Sequence, residues 1–89
     1  MEDLKQLREN IDEIDEKIVQ LFEERMETVL KVAAYKKQNN IPIFNQGREE
    51  EVINKNKERL NNKKFEDSLG KFFIYLMDLS KEEQKKAMN

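Results

Sequence analysis

The sequence contains no histidine and no cysteine. Without cysteine, the chain has no disulfide framework and no thiolate metal site. Without histidine, it also lacks the side chain that most often acts as a general base near neutral pH. If the chain is an enzyme, we therefore expect its reaction to depend on binding and electrostatics rather than on proton transfer.

Long apolar runs and an excess of one charge are also absent. The longest apolar run, Phe72 to Met77, is too short to span a bilayer. The net charge is −2 and acidic and basic residues are interleaved, so no basic face favours nucleic acid. The start Met1-Glu2-Asp3 is acidic, unlike a signal peptide. We expect one cytoplasmic domain over residues 1–89, with neither a membrane nor a nucleic acid as partner.

Proline and glycine are scarce, and neither occurs between Leu4 and Gln38. This segment therefore predicts one helix of about 50 Å, at ~1.5 Å per residue. Its apolar residues alternate in steps of three and four, as on one buried helical face: Leu4, Leu7, Ile11, Ile14, Ile18 and Leu21. A compact domain of this length has a radius of gyration of only about 12 Å. We expect a second copy of the chain to cover the helix.

The same steps continue to Arg25, Val29, Val32 and Lys36, so two cations enter the buried face. Buried cations are costly unless an anion meets them. They could pair with a partner helix or reach water, or they could bind an anionic ligand. Arg8 lies about 25 Å along the helix from Arg25. Only two antiparallel copies could bring both arginines to one small ligand.

The rest of the chain predicts two shorter helices. The first helix should fray at Asn39-Asn40, before an extended connector, Ile41–Phe44, whose apolar residues suggest that it is packed down. Asn45 is a candidate N-cap for a second helix from Gln46 to about Leu60. A polar break at Asn61–Lys64 precedes the third helix.

The third helix carries an apolar stripe at helical spacing: Leu69, Phe72, Phe73, Leu76 and Met77. Extending this stripe reaches Ser80 and Gln84, which either fray into solvent or face a pocket. Polar residues that turn inward from the three helices are then Arg8, Arg25, Lys36, Arg48, Glu49, Ser80 and Gln84. The set is rich in cations, and arginine forks suit carboxylates. It predicts a small polyanionic ligand, with Glu49 available to accept from a hydroxyl.

These residues occur in an order that resembles the all-helical class of chorismate mutase. The matching pieces are Leu7-Arg8-x-x-Ile11-Asp12-x-Ile14-Asp15, Leu21-x-x-x-Arg25-Met26, Val32-x-x-Tyr35-Lys36, Ile41-Pro42-Ile43, Arg48-Glu49 and Ser80-x-x-x-Gln84. The resemblance implies an all-α fold of three helices per chain, one long and two shorter, in an intertwined homodimer. It also implies conversion of chorismate to prephenate, the step that commits carbon to phenylalanine and tyrosine. This rearrangement needs no cofactor, and we expect no metal site.

The resemblance assigns roles to matching positions. Arg25 would bind a substrate carboxylate within its own subunit, and Arg8 would reach in from the partner. Lys36 and Gln84 would donate to the ether oxygen of the breaking bond. The remaining contacts would come from Glu49 to the ring hydroxyl, Arg48 and Ser80 at the polar edge, and Val32 and Met77 against the ring. Many relatives have aspartate where this chain has Asn45, and both residues can cap a helix and offer a backbone contact.

Two alternatives differ from the mutase. Isochorismate pyruvate-lyases are similar to this family and use a related substrate and pocket. The Arg48-Glu49 pair and Ser80 look more like the mutase. The second alternative is a helical interaction module without catalytic activity, in which the seam cations pair across a dimer.

Overall fold

The computed structural model describes residues 3–88, which form three α-helices and no β-strand. Helix α1 is Leu4–Gln38, α2 is Gln46–Arg59 and α3 is Glu66–Met88. One turn of 3₁₀ helix, Lys63–Phe65, leads directly into α3. The predicted all-α class and the three helices, one long and two shorter, are confirmed.

Helix α1 begins and ends where the sequence predicts. At its start, Asp3 Oδ1 accepts a hydrogen bond from the backbone N–H of Gln6 at 2.8 Å, which caps a free donor of the first turn. At its end, Asn40 takes a left-handed conformation with φ of 55°. The N–H of Ile41 then donates to the carbonyl of Lys36 at 2.9 Å. This is the Schellman pattern, with asparagine in the place usually taken by glycine.

The two shorter helices also follow local chemistry. Asn45 caps α2, as predicted, and α2 ends at Arg59 because Leu60 has an extended backbone with ψ of 128°. The predicted polar break is partly ordered as helix. Asn62 Oδ1 accepts from the backbone N–H of Lys64 at 3.0 Å and starts the 3₁₀ turn.

The core within one chain is thin. Helix α3 packs against both α1 and α2, and the buried apolar side chains are Ala33, Val52, Leu76 and Met77. The predicted seam of α1 stays open: Leu7 is 42% exposed and Leu21 is 65% exposed. The radius of gyration is 16.3 Å, well above the roughly 12 Å of a compact domain of this size. One chain therefore does not cover its own long helix.

The connector 41–44 corrects one expectation. Its apolar residues are not packed down throughout, because Ile41 is 42% exposed and Phe44 is 53% exposed. Two cations hold the connector instead. Lys36 Nζ donates to the carbonyl of Ile43 at 2.8 Å, and Lys81 Nζ lies 4.9 Å from the centre of the Phe44 ring. Polar and cation–π contacts thus replace the burial that the composition suggested.

Two expectations concern the acidic start of the chain and its hydropathy. Met1 and Glu2 lie outside the described residues, and only Asp3 of that start is described. Within residues 3–88, no helix is both long and apolar enough to cross a membrane.

Gly70 gives a test of the contact between α2 and α3. Alanine is favoured over glycine inside a helix by about 0.8–1.0 kcal/mol, so Gly70→Ala should raise the free energy of unfolding by roughly 0.5–1 kcal/mol. The new Cβ would lie 2.9 Å from Cε of Lys57, but this is the flexible end of a side chain and can move aside. Thermal unfolding followed by circular dichroism measures the change.

Gly47→Ala is the matched control, because its Cβ would meet only Asn45 Oδ1, at an ordinary 3.5 Å. If Gly70→Ala lowers stability and Lys57→Ala does not restore it, the backbones of α2 and α3 are too close for a methyl group. The expectation would then be wrong.

Candidate functional site

The site begins with a hydrogen bond between α1 and α3. Arg25 Nη1 donates to Ser80 Oγ at 2.7 Å, and Ser80 Oγ donates in turn to the carbonyl of Leu76 at 2.8 Å. Ser80 is buried and Arg25 is half-buried. Arg25 forms no salt bridge with any residue in 3–88, so a neutral hydroxyl is its partner. Its charge is left without a counter-ion in the described chain.

Electrostatics around Arg25 make this lack of an anion costly. Burial lowers the pKa of Arg25, and the nearby positive charge of Arg48 lowers it further. Arg48 itself pairs with Glu51 on its own helix, Nη1 to Oε1 at 2.6 Å, in an exposed position. An anion placed between the two arginines would relieve the repulsion between them.

The first turn of α2 supplies the acidic side of the site. Asn45 Oδ1 accepts from the backbone N–H of Arg48 at 3.0 Å, so the side chain of Asn45 is used in capping. Glu49, one turn into the helix, is half-buried, and its Oε2 lies 2.9 Å from Lys81 Nζ on α3. The cap orients the turn that carries both Arg48 and Glu49.

Lys36 and Val32 lie one turn apart on α1. Lys36 is half-buried and donates to the carbonyl of Ile43, as described above. An ammonium group has three donors, so Lys36 keeps two for other partners. Val32 is 40% exposed, which leaves an apolar surface beside the lysine.

Gln84 and Met77 come from the inner face of α3, and both are 7% exposed. The inward position predicted for Gln84 is therefore observed, and its fraying into solvent is not. Gln84 Oε1 is buried and has no hydrogen-bond partner among residues 3–88. A buried amide oxygen without a partner is costly. Rotation of the amide by about 180° would place its NH2 group, a donor, at the same position, so Gln84 is a candidate for contact with a ligand.

The single chain does not bring every predicted residue together. The residues linked by contacts or by position in adjacent turns are Arg25, Val32, Lys36, Asn45, Arg48, Glu49, Met77, Ser80 and Gln84. Arg8 lies in the second turn of α1, exposed and about 25 Å from Arg25 at the rise of a helix. Within one chain, Arg8 does not reach the site.

Lys81 is the residue that the sequence analysis missed. It lies four residues after Met77 and three before Gln84, so it shares their helix face. The hydrogen bond to Glu49 raises the pKa of Lys81, and a second acceptor, Asp78 Oδ1, lies at 3.3 Å. From Met77, a step of three residues along the apolar stripe leads to Ser80 and a step of four leads to Lys81. This helical spacing could have identified Lys81 from the sequence.

A separate apolar groove of about 730 Å³ lies between the three helices. It shares only Arg25 and Arg48 with the site just described, and its other walls are mostly apolar: Ile18, Val19, Leu21, Phe22, Val52, Phe72, Phe73, Tyr75, Leu76 and Leu79. A small polar ligand would leave these walls uncovered. The groove is suited to an apolar helix face, and the site beside it is suited to an anion.

The fold and the site together define a class: a small all-helical protein with a cation-rich site. The profile of the family described as chorismate mutase type II matches residues 7–85. This match covers α2 entirely, α1 and α3 except for three residues at the outer end of each, and every predicted site residue. The chain belongs to the type II chorismate mutase family.

Individual relatives agree with this assignment. The chain is similar to a chorismate mutase of Methanocaldococcus jannaschii, with 33% identity over 99% of this chain and 90% of that protein. It is 42% identical over 62% of its length to a bifunctional chorismate mutase/prephenate dehydratase of Aquifex aeolicus, and 45% identical over 55% to the T-protein of Haemophilus influenzae. These matches span only 15% and 13% of the two larger proteins. No solved structure is significantly similar to the chain.

Proposed function

We propose that this protein is a chorismate mutase that catalyses the intramolecular rearrangement of chorismate to prephenate. The observation that carries the proposal is Arg25, a half-buried cation with a neutral partner, Ser80, and a second cation, Arg48, nearby. Such a position favours a carboxylate ligand. Family membership supports chorismate as the dicarboxylate, since the relative that matches over nearly the whole chain is named a chorismate mutase.

The proposed chemistry needs no proton transfer, which suits a chain without histidine or cysteine. The arginines hold the substrate carboxylates and fold the molecule so that the reacting carbons approach each other. As the C–O bond breaks, negative charge grows on the ether oxygen. The free donors of Lys36 and the amide of Gln84 stabilise that charge. Glu49 accepts a hydrogen bond from the ring hydroxyl, while Val32 and Met77 contact the ring.

We also propose that the site is shared between two copies of the chain. The exposed seam of α1 and the apolar groove are both of the kind that a partner helix covers. In an antiparallel pair of α1 helices, the two-fold axis would pass midway between Arg8 and Arg25, near Glu16 and Lys17. Leu7 and Ile11 of one copy would then approach the groove of the other. Arg8 would arrive beside the partner copy's Arg25.

The direct test of the function is incubation with chorismate and identification of the product. We expect prephenate, formed without added metal or cofactor. Isochorismate is the parallel substrate, because a lyase of the same fold would release pyruvate from it. Pyruvate without prephenate would assign the lyase activity. No turnover of either compound would favour the alternative of a helical interaction module without catalytic activity.

Gln84→Glu tests the donor to the ether oxygen. A neutral amide donates at any ordinary pH, but a carboxyl group donates only when protonated. Loss of one such donor costs about 10²–10³ in rate, and an ionised carboxylate would also repel the developing negative charge. The variant should therefore be nearly inactive at pH 7 and gain activity as the pH falls.

The measurement is kcat/KM against pH, with Gln84→Met as a control that cannot donate at any pH and should stay slow throughout. Circular dichroism at each pH separates activity from unfolding. If Gln84→Glu keeps wild-type rates across the whole range, Gln84 does not contact the reacting oxygen.

Mixed dimers test whether one site uses two chains. Arg8→Ala and Arg25→Ala homodimers should each be nearly inactive, because every site lacks one arginine. When the two variants are refolded together, about half of the dimers are mixed. One site of each mixed dimer then carries both substitutions and the other carries neither. Activity should return to roughly a quarter of wild type per chain.

The matched control is the same experiment with Arg25→Ala and Lys36→Ala. These residues belong to the same chain's half of a site, so each site of a mixed dimer lacks one of them and no activity returns. Recovery in this control, or none with the Arg8 and Arg25 variants although mixed dimers form, would contradict the shared site.

A further inference from the structure

The ion pair between Lys81 and Glu49 links two helices at the edge of the site. Lys81 Nζ lies 2.9 Å from Glu49 Oε2, and both side chains keep only about a quarter of their exposure, 23% and 25%. This pair is far less exposed than the other interacting pairs on the same chain, such as Lys86 and Glu83 at 73% and 42%. Exposed pairs fix side chains weakly, whereas a half-buried pair defines the geometry of both partners.

Three segments of the chain hold the Lys81 ammonium. Glu49 comes from α2, and Asp78 Oδ1, at 3.3 Å, comes from α3 itself. The Phe44 ring, 4.9 Å away, comes from the connector. An aromatic ring attracts a cation to its face, so Lys81 has a defined position rather than a free rotation. Among these contacts, the charged groups that face Lys81 are the carboxylates of Glu49 and Asp78.

The pair uses only one oxygen of Glu49. Oε2 lies 2.9 Å from Lys81 Nζ, and Oε1 forms no hydrogen bond or salt bridge with residues 3–88. Because the carboxylate is planar, a contact at one oxygen restricts the directions in which the second oxygen can point. Oε1 therefore has a restricted orientation and a free acceptor.

We propose that Lys81 is a positioning residue that holds Glu49 in the orientation needed to accept a hydrogen bond from the substrate hydroxyl. This inference rests on the proposed function. Lys81 acts through Glu49 and does not touch the reacting atoms. Its contribution is selectivity for a substrate that carries the hydroxyl group, and it adds little to the binding of the two carboxylates.

The test compares two bicyclic dicarboxylate analogues of the transition state, one with the hydroxyl and one without it. Calorimetric titration gives the ratio of their dissociation constants. Wild type should prefer the hydroxylated compound, and Lys81→Met should reduce that preference by about tenfold, the value of one hydrogen bond to a charged group. Lys81→Arg keeps the charge and should keep most of the preference. Lys86→Met, which removes an exposed pair on the same helix, should keep all of it.

A double substitution completes the test. In a Glu49→Gln background, Lys81→Met should have no further effect on the preference, since the carboxylate that it positions is gone. If Lys81→Met weakens both analogues equally, Lys81 binds a carboxylate or only supports the fold, and the proposal is wrong. An unchanged preference overturns it as well. Prephenate formation by wild type is measured separately, so failure of the proposed function would be seen there and not in this ratio.

Discussion

The architecture depends on the length of α1, which is greater than the rest of one chain can cover. Helix α1 extends along most of the 56 Å length of the molecule, and α2 and α3 cover only part of it. In its C-terminal half Arg25 contacts α3 and Lys36 contacts the connector, while its N-terminal half presents an apolar face. A helix of this kind separates two tasks along its length. One end carries the polar site, and in the proposed dimer the other end would complete the site of the partner.

Two groups of the polar site are incompletely paired. A buried cation with a neutral partner raises the free energy of the protein, and an anion that neutralised it would recover this cost. Among the described residues, Arg25 is such a cation, and Gln84 carries a buried amide oxygen without a hydrogen-bond partner. Lys36 and Asn45, in contrast, are bound to the backbone and fix the connector and the first turn of α2. The site thus combines groups held in place with groups left unsatisfied.

Much of the fold could be predicted because it is decided locally. The absence of proline and glycine from Leu4 to Gln38 predicted the extent of α1, and the capping oxygen of Asn45 predicted the start of α2. The inward position of Gln84 followed from extending the stripe of α3. Contacts between helices could not be predicted in this way, because they depend on the rotation of one helix relative to another. Spacing alone indicated no partner for Glu49. The apolar composition of the connector overestimated the burial of Phe44, whose ring contacts an ammonium group instead.

The hydroxyl of Ser80 has only one proton and two acceptors within reach, the carbonyl of Leu76 at 2.8 Å and Met26 Sδ at 3.9 Å. The carbonyl, one turn earlier in α3, is the nearer and stronger acceptor and takes the proton, while the oxygen accepts from Arg25. Ser80 therefore has no hydrogen left for a carboxylate, and only a lone pair remains. A substrate oxygen without a proton gains nothing from it directly, but the side chain sets the direction in which the arginine fork points. Ser80 thus orients Arg25. In a Ser80→Ala variant the guanidinium group would remain, but it would lose the hydrogen bond that sets its direction.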